Sequence, residues 1–303
     1  MALTVTRPSA GRIELDIDGH PVSALRKFSG LDLEASIVSN DLGAGRYRKK
    51  HVADIDWTPA HVSVGLGMGQ GMYDWIKASL DTGGGTRNGQ LTLADINYKA
   101  QSLLTFTDAT LTSFTVPALS GDSKDAGAFD LQFAVEQVRA SAGDGHDIRG
   151  QLGTPVQPWL GANFRVEIGA LPCARVASID AFTWTCVPAS SSGGIFREPQ
   201  AGTNIPTVPD LRLSISYADH DAWAQAAKAW FIDGSHLESN EMAGRIVFLA
   251  PDMARELGSI TLQNVGFRRF ENVFSESGSD RIARFAVVLY VEKMTLRVNV
   301  YEP

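Results

Sequence analysis

Between Ile13 and Gly19 the chain reads Ile-Glu-Leu-Asp-Ile-Asp-Gly, a strict apolar/acidic alternation that predicts a half-buried strand ending in a turn. Residues 164–169, Phe-Arg-Val-Glu-Ile-Gly, repeat the pattern and end on the same kind of residue. Later elements recur in the same order. Met72, Trp75, Ile76 and Leu80 fall at helical spacing after the glycine run 65–71, and Trp223, Ala226, Ala227 and Trp230 mark the same stripe in the second half. Each predicted helix runs into an acid–glycine turn, Asp81-Thr82-Gly83 or Asp233-Gly234. Short strands are expected at 90–94 and 103–107, matched by 245–250 and 259–263, and aromatic strands at 111–116 and 266–272. Each half then closes on a strand. Phe129, Leu131, Phe133 and Val135 share one face, whereas residues 285–292 are apolar on both faces and so are expected to be buried on both. The apolar phase slips after Glu292, which predicts a bulge there.

Matching elements lie half a chain apart, so the sequence reads as two tandem copies of one domain. The expected fold class is mainly β with one helix per repeat (α+β). The first copy spans residues 1–143 and the second 161–303. A linker at residues 144–160 separates them, within and just after the Gly/Pro-rich run "AGDGHDIRGQLGTPVQP" of residues 142–158.

Composition adds mostly exclusions. With 44% hydrophobic and 20% charged residues in 303, the chain has globular composition. No apolar run is long enough to span a bilayer, and the N-terminus lacks the apolar core of a signal peptide, so synthesis in the cytosol without membrane contact is expected. The net charge of −7 is spread over both halves, which argues against a nucleic-acid-binding surface. Cys173 and Cys186 make no disulfide framework and read as buried thiols.

Candidate chemistry is sparse. Gly65, Gly67, Gly69 and Gly71 alternate by two and put Gln70 where a dinucleotide fingerprint needs its third glycine; they read as an extended or close-packed backbone. The six histidines never pair at ligand spacing, and Asp16-Ile17-Asp18-Gly19 lacks the closing Glu of a calcium loop. His220-Asp221 reads as a helix cap, and Phe267-Arg268-Arg269-Phe270 as an edge or interface strand. No catalytic, metal or cofactor site is expected, and an enzymatic role is not. Two long irregular stretches stand out at matching positions, residues 39–54 and 188–209. The first carries Arg46-Tyr47-Arg48-Lys49-Lys50-His51 in what reads as a loop, and the second carries Phe196-Arg197. Loops this long in compact β domains serve function. With no chemistry to serve, Arg46, Tyr47, Arg48, Lys49, Lys50, Phe196 and Arg197 are candidate subunit contacts.

The order "IELDIDG…VSALRKFSGLDLE", "GAGRYRKKHVADIDWTPAHVSVGLGMG", "MYDWIKASLD", "NGQLTLAD" and "FDLQFAVEQVR" resembles the tail tube proteins of contractile phages and related contractile injection systems. The second half follows it more loosely, from "FRVEIGALPCARV" through "DAWAQAAKAWFIDG" to "RFAVVLYVE". The resemblance implies a β-barrel ring around a channel, with the long loop reaching a neighbouring subunit or ring. Since that family carries a single domain, two fused copies imply a homotrimer forming a pseudo-sixfold ring. The implied partners are other copies of the chain in stacked rings, sheath and baseplate or hub proteins, and DNA or effector cargo passing without specific binding, in a virion tail or injection particle. A hub adaptor joining a sixfold tube to a threefold spike, and a tandem β-sandwich binding module, are the alternatives.

Overall fold

The computed structural model describes residues 12–23, 25–40, 48–149, 159–186, 206–271 and 283–301. The first half holds β1 (Arg12–Ile17), β2 (His20–Pro21), β3 (Leu25–Ser29), β4 (Leu33–Asn40), β5 (Lys49–Trp57), β6 (Ala60–Val64), helix α1 (Gln70–Thr82), β7 (Arg87–Ala94), β8 (Ala100–Val116), β9 (Leu119–Ser120), β10 (Phe129–Ala134) and β11 (Gln137–Ala142). The second holds β12 (Phe164–Ile168), β13 (Val176–Ile179), β14 (Phe182–Cys186), β15 (Pro206–Thr207), β16 (Leu211–Ser216), helix α2 (His220–Phe231), β17 (Met242–Leu249), β18 (Glu256–Glu271) and β19 (Arg284–Val298). The fold is mainly β with few helices.

The strand path β1-β7-β8-β10-β6-β3 of the first sheet recurs as β12-β17-β18-β19-β16-β13 in the second, with every pairing antiparallel. The irregularities recur as well. One residue of the long strand bulges at Thr112 against β10 and at Arg268 against β19. The β3–β6 ladder skips Arg26, and the β13–β16 ladder skips Ala177. The β7–β8 and β17–β18 ladders each shift twice, ahead of Gly89 and Gly244 and again after Leu93 and Phe248. Positive φ angles also match: Asp18 with Gly169, Gly83 with Gly234, Tyr98 with Met253, and Asp108 with Asn264. Bulges and left-handed non-glycine residues are costly local features. Their coincidence fixes which residue of one half corresponds to which in the other.

The strands expected at 103–107 and 111–116 are a single strand, β8, and those at 259–263 and 266–272 are a single strand, β18. The polar residues between them make no turn. Asp108 (φ 53) and Asn264 (φ 55) kink a continuous strand, so that β8 serves β7 and β11 along one stretch and β10 along the next. The bulge expected at Glu292 is absent: β18 and β19 stay in register through Gln263↔Lys293 and Val265↔Val291. The buried set of β19 still changes face, from Phe285, Val287, Leu289 and Val291 to Met294, Leu296 and Val298, opposite the left-handed Asn264. Residues 285–287 are buried on both faces, while Val288 and Tyr290 are half-buried.

The two halves share one core. Trp159 lies between Phe129 of the first half (5.7 Å between ring centroids) and Phe248 of the second (4.6 Å). Residues 144–149 run back along the β7–β8 turn, where Ala100 N donates to His146 O at 2.9 Å and Ile148 N to Tyr98 O at 3.0 Å. No helix among the described residues is long and apolar enough to cross a membrane.

Candidate assembly interface

β4 and β5 form a two-stranded hairpin that stands apart from both main sheets. Its register is Leu33↔Trp57, Ala35↔Ile55 and Ile37↔Val52, with a shift after Ser36. Since alternate residues face opposite sides, Leu33, Ala35, Ile37, Val52, Ile55 and Trp57 share an apolar face. Glu34, Asp54 and Asp56 lie on the other. Leu33 is 63% exposed, and Ile37, Val52 and Ile55 are exposed with it. Scattered exposed apolar residues are ordinary, but a face that stays apolar from Leu33↔Trp57 to Ile37↔Val52, before turning polar at Ser39↔Lys50, is a candidate interaction surface.

The basic cluster lies at the far end of this hairpin. Lys49, Lys50 and His51 belong to β5 rather than to a loop, and Arg48 immediately precedes it. Ile55 and Trp57 alternating with Asp54 and Asp56 are the signal for this strand, obscured by Val52, which the extra residue Ala53 puts out of phase, and by the surrounding charge. Arg46, Tyr47, Phe196 and Arg197 lie outside the described residues.

The counterpart of this hairpin in the second half is bound. β14 pairs with the end of β8 through Phe182↔Val116, Thr183↔Thr115, Trp184↔Phe114 and Thr185↔Ser113, so a strand of one half extends the sheet of the other. The hydroxyls of Thr115 and Thr183 lie 2.8 Å apart. Trp184 is fully buried, its ring 5.4 Å from Phe114 and 5.5 Å from Phe182. Cys186 ends the strand over α1, with its Sγ 3.9 Å from Ser79 O. The reciprocal contact is made by β9, which pairs with β13 through Leu119↔Ile179 and Ser120↔Ser178.

α1 is covered from a second side by the far half of β19. Tyr73 Oη donates to Leu296 O at 3.3 Å, Tyr301 stacks on Tyr73 at 5.2 Å, and Gly69 N donates to Tyr301 Oη at 2.6 Å. Six residues of α1 are therefore buried, against Trp223, Ala227 and Trp230 in α2. Phe231 and Ile232, at the end of α2, are 48% and 74% exposed.

The remaining candidates resolve into structure. Gly65 leads into a turn at Leu66–Gly67 after β6, not an extended strand, and Gly69 caps α1 with φ 95. A Cβ on Gly69 would lie 2.7 Å from Pro21 O, and one on Gly71 would lie 2.8 Å from His20 Cβ; close passage of residues 20–23 is what these glycines allow. Asp16 accepts from Gly19 N (2.7 Å) and Asp18 from Asn88 N (3.0 Å), so both carboxylates hold turns. His220 is not a cap; a 3-10 turn, Tyr217–Asp219, precedes α2, and the His220 ring packs against Tyr217, Phe270 and Phe285. In the Phe267–Phe270 stretch Phe267 is buried, Arg268 pairs with Asp210 and Arg269 with Glu271 (3.3 Å). Cys173 and Cys186 are free, and burial pushes both thiols up. Among the described residues no group of three His, Cys, Asp or Glu side chains is placed to hold a metal ion.

No family model matches the sequence, and neither does any curated protein. Solved structures resemble parts of it. The sheath–tube complex of the PVC extracellular contractile injection system includes a chain 17% identical at a TM-score of 0.39, covering 46% of this chain and 94% of that one. The tube-terminating cap of the anti-feeding prophage gives 19% identity and a TM-score of 0.39, over 47% of this chain and 99% of that one. The baseplate of the same prophage gives 11% and 0.37, over 46% and 98%. Each likeness spans less than half of the present chain.

Proposed function

We propose that the chain is a structural component of a contractile phage tail or injection system, with a tandemly duplicated tube domain (residues 1–143 and 161–303). In this reading three chains close a pseudo-sixfold ring around a channel for DNA or effector proteins, stacking against sheath and baseplate or hub proteins. The observation that carries the reading is the pairing of β14 on β8: one half already extends the other's sheet. A joint between unlike surfaces propagates until it closes, and closure removes the sheet edges that would otherwise invite uncontrolled pairing. The repeated strand order and coincident bulges support two copies of one unit. A hub adaptor is favoured by one difference between the halves: Phe231 and Ile232 are exposed at the end of α2 while Leu80 of α1 is buried, which would give the ring a threefold surface.

Negative-stain microscopy with light scattering on the purified chain tests the reading. Rings with a central hole and the mass of three chains are expected. Long stacks point to a repeating tube subunit and single rings to the adaptor. A monomer at every concentration overturns both in favour of a tandem binding module.

A further inference from the structure

The bond between the halves is present once within the chain, and the surfaces for making it again are left uncovered. The correspondence fixed by the ladders pairs Phe28 with Ile179 and Leu25 with Val176 through the shared bulge after β3 and β13. Counting onward, Leu31 corresponds to Phe182, and both are buried. The next inward position separates them: Trp184 is 0% exposed, while its counterpart Leu33 is 63% exposed. Trp184 packs on Phe114 of β8, to which β14 is paired; among the described strands β4 pairs with β5 alone, and Leu33 stays mostly exposed.

The receiving surface shows the complementary gap. The bulges at Thr112 and Arg268 align the end of β8 with the end of β18, so Ser113, Phe114 and Thr115 correspond to Arg269, Phe270 and Glu271. β14 occupies the outer edge of β8 there. On β18, β17 stops pairing at Val265, and no described strand occupies that edge from Gly266 to Glu271. Phe114 is fully buried and Phe270 only half-buried. The helices differ in the same sense: Leu80 of α1 is buried, and its counterpart Phe231 is exposed. The strand that covers α1 from its other side has an uncovered counterpart too. Leu296 and Val298 of β19 are buried, whereas Ala140 and Ala142 of β11 are exposed.

We propose that the occupant of the β4–β5 apolar face is a second copy of this chain, joined head to tail. The hairpin of one copy pairs with the open edge of β18 in the next, placing Leu33 opposite Phe270 and Glu34 opposite Arg269. Beyond the edge, Ala35 and Ile37 run over the exposed end of α2 at Phe231 and Ile232. Main-chain pairing supplies affinity, the apolar face fixes the register, and the Glu34–Arg269 cross-strand pair opposes slippage by one residue. The proposal rests on the ring reading for closure at three chains, while the register belongs to the joint alone.

Glu34→Cys and Arg269→Cys test it, since both side chains are exposed and neither change opens the core. Directly opposite positions on paired antiparallel strands lie within about 4.5–5.5 Å between Cβ atoms, close enough for a disulfide after small adjustment. The double variant under mild oxidation is expected to give covalent dimers and trimers, with nothing larger prominent. A mixture of the two single variants is expected to stop at the dimer, and each single variant alone to match wild type. A covalent dimer from Glu34→Cys alone means hairpin-to-hairpin contact and overturns the proposal. Absence of crosslinks from the double variant, with rings still visible by microscopy in the same sample, overturns this joint and leaves the ring reading standing. Absence of both crosslinks and rings removes the two together.

Discussion

Trp184 and Leu33 hold the same position in corresponding hairpins, one covered and one bare, and so predict opposite responses to one substitution. Trp184→Ala removes a fully buried indole packed on Phe114 and Phe182 at ring distances of 5.4 and 5.5 Å. Loss of a large buried aromatic costs about 3–5 kcal/mol. Leu33→Ala removes a side chain that is 63% exposed, which places it within about 0.5 kcal/mol of wild type in the isolated chain. In the proposed joint Leu33 would be worth more. Complete burial of a leucine contributes about 1.5–3 kcal/mol, and with 63% still exposed about 1–2 kcal/mol is gained per joint. That corresponds to roughly a 5- to 30-fold weaker joint in the variant. Urea unfolding followed by circular dichroism, at concentrations where the chain sediments as a monomer, measures the first pair of effects. Sedimentation equilibrium measures the third. A Leu33→Ala loss above about 1.5 kcal/mol in the monomer, or a near-neutral Trp184→Ala, refutes the reasoning, because the hairpins would then not differ by a missing partner.

Two further outcomes follow from particular contacts. A methyl on Gly127 would land inside the Trp159 ring, so Gly127→Ala should destabilise the chain by about 1–3 kcal/mol through overpacking, read as a shift in the urea midpoint at unchanged slope. Burial and the hydrogen bond to Glu241 (2.6 Å) push the Tyr290 phenol up from 10.0 to about 12. The folded chain therefore holds this proton more tightly than the unfolded one. The resulting stability is intact below pH 10 and drains away as pH rises toward 12, so Tyr290→Phe should flatten the alkaline decline in melting temperature over that window. An unchanged slope would mean that another group titrates there.

Much of the architecture was legible in the sequence because period-two and helical patterns survive wherever one face is buried. β1, β12, β10 and both helices lie close to where alternation and spacing put them. The misses share a physical origin. β8 and β18 were split because Asp108 and Asn264 look like turn residues, and only tertiary pairing on both sides keeps a strand running through a left-handed residue. The β4–β5 hairpin was hidden because its register shifts after Ser36, breaking the alternation across the two strands. The candidate interface was half legible. The basic cluster is plain in the sequence at residues 46–51, but the apolar face beside it shows only once Leu33 and Trp57 are known to be opposite. Phe267–Phe270 reads as an edge or interface strand in the sequence, but that this stretch of β18 lacks a second neighbour and that the end of α2 is exposed beside it show only against the covered counterparts in the other half.

The closing of β19 and Tyr301 over α1 has a consequence for synthesis. Met72, Tyr73 and Trp75 emerge from the ribosome early, but the strand that lies across their helix and the phenol that bonds Gly69 are encoded more than half a chain later. At ordinary translation speeds of about 5–20 residues per second, the first half waits on the order of ten seconds or more with that helix uncovered. During the wait, its bare α1 and the unoccupied end of β8 match what a hairpin from another molecule would seek. Covalent tethering favours the chain's own second half in that competition, because its local concentration far exceeds that of any free neighbour. A nascent chain held before β19 should therefore be the form most prone to mispairing, and a holding chaperone would have its greatest effect at that stage.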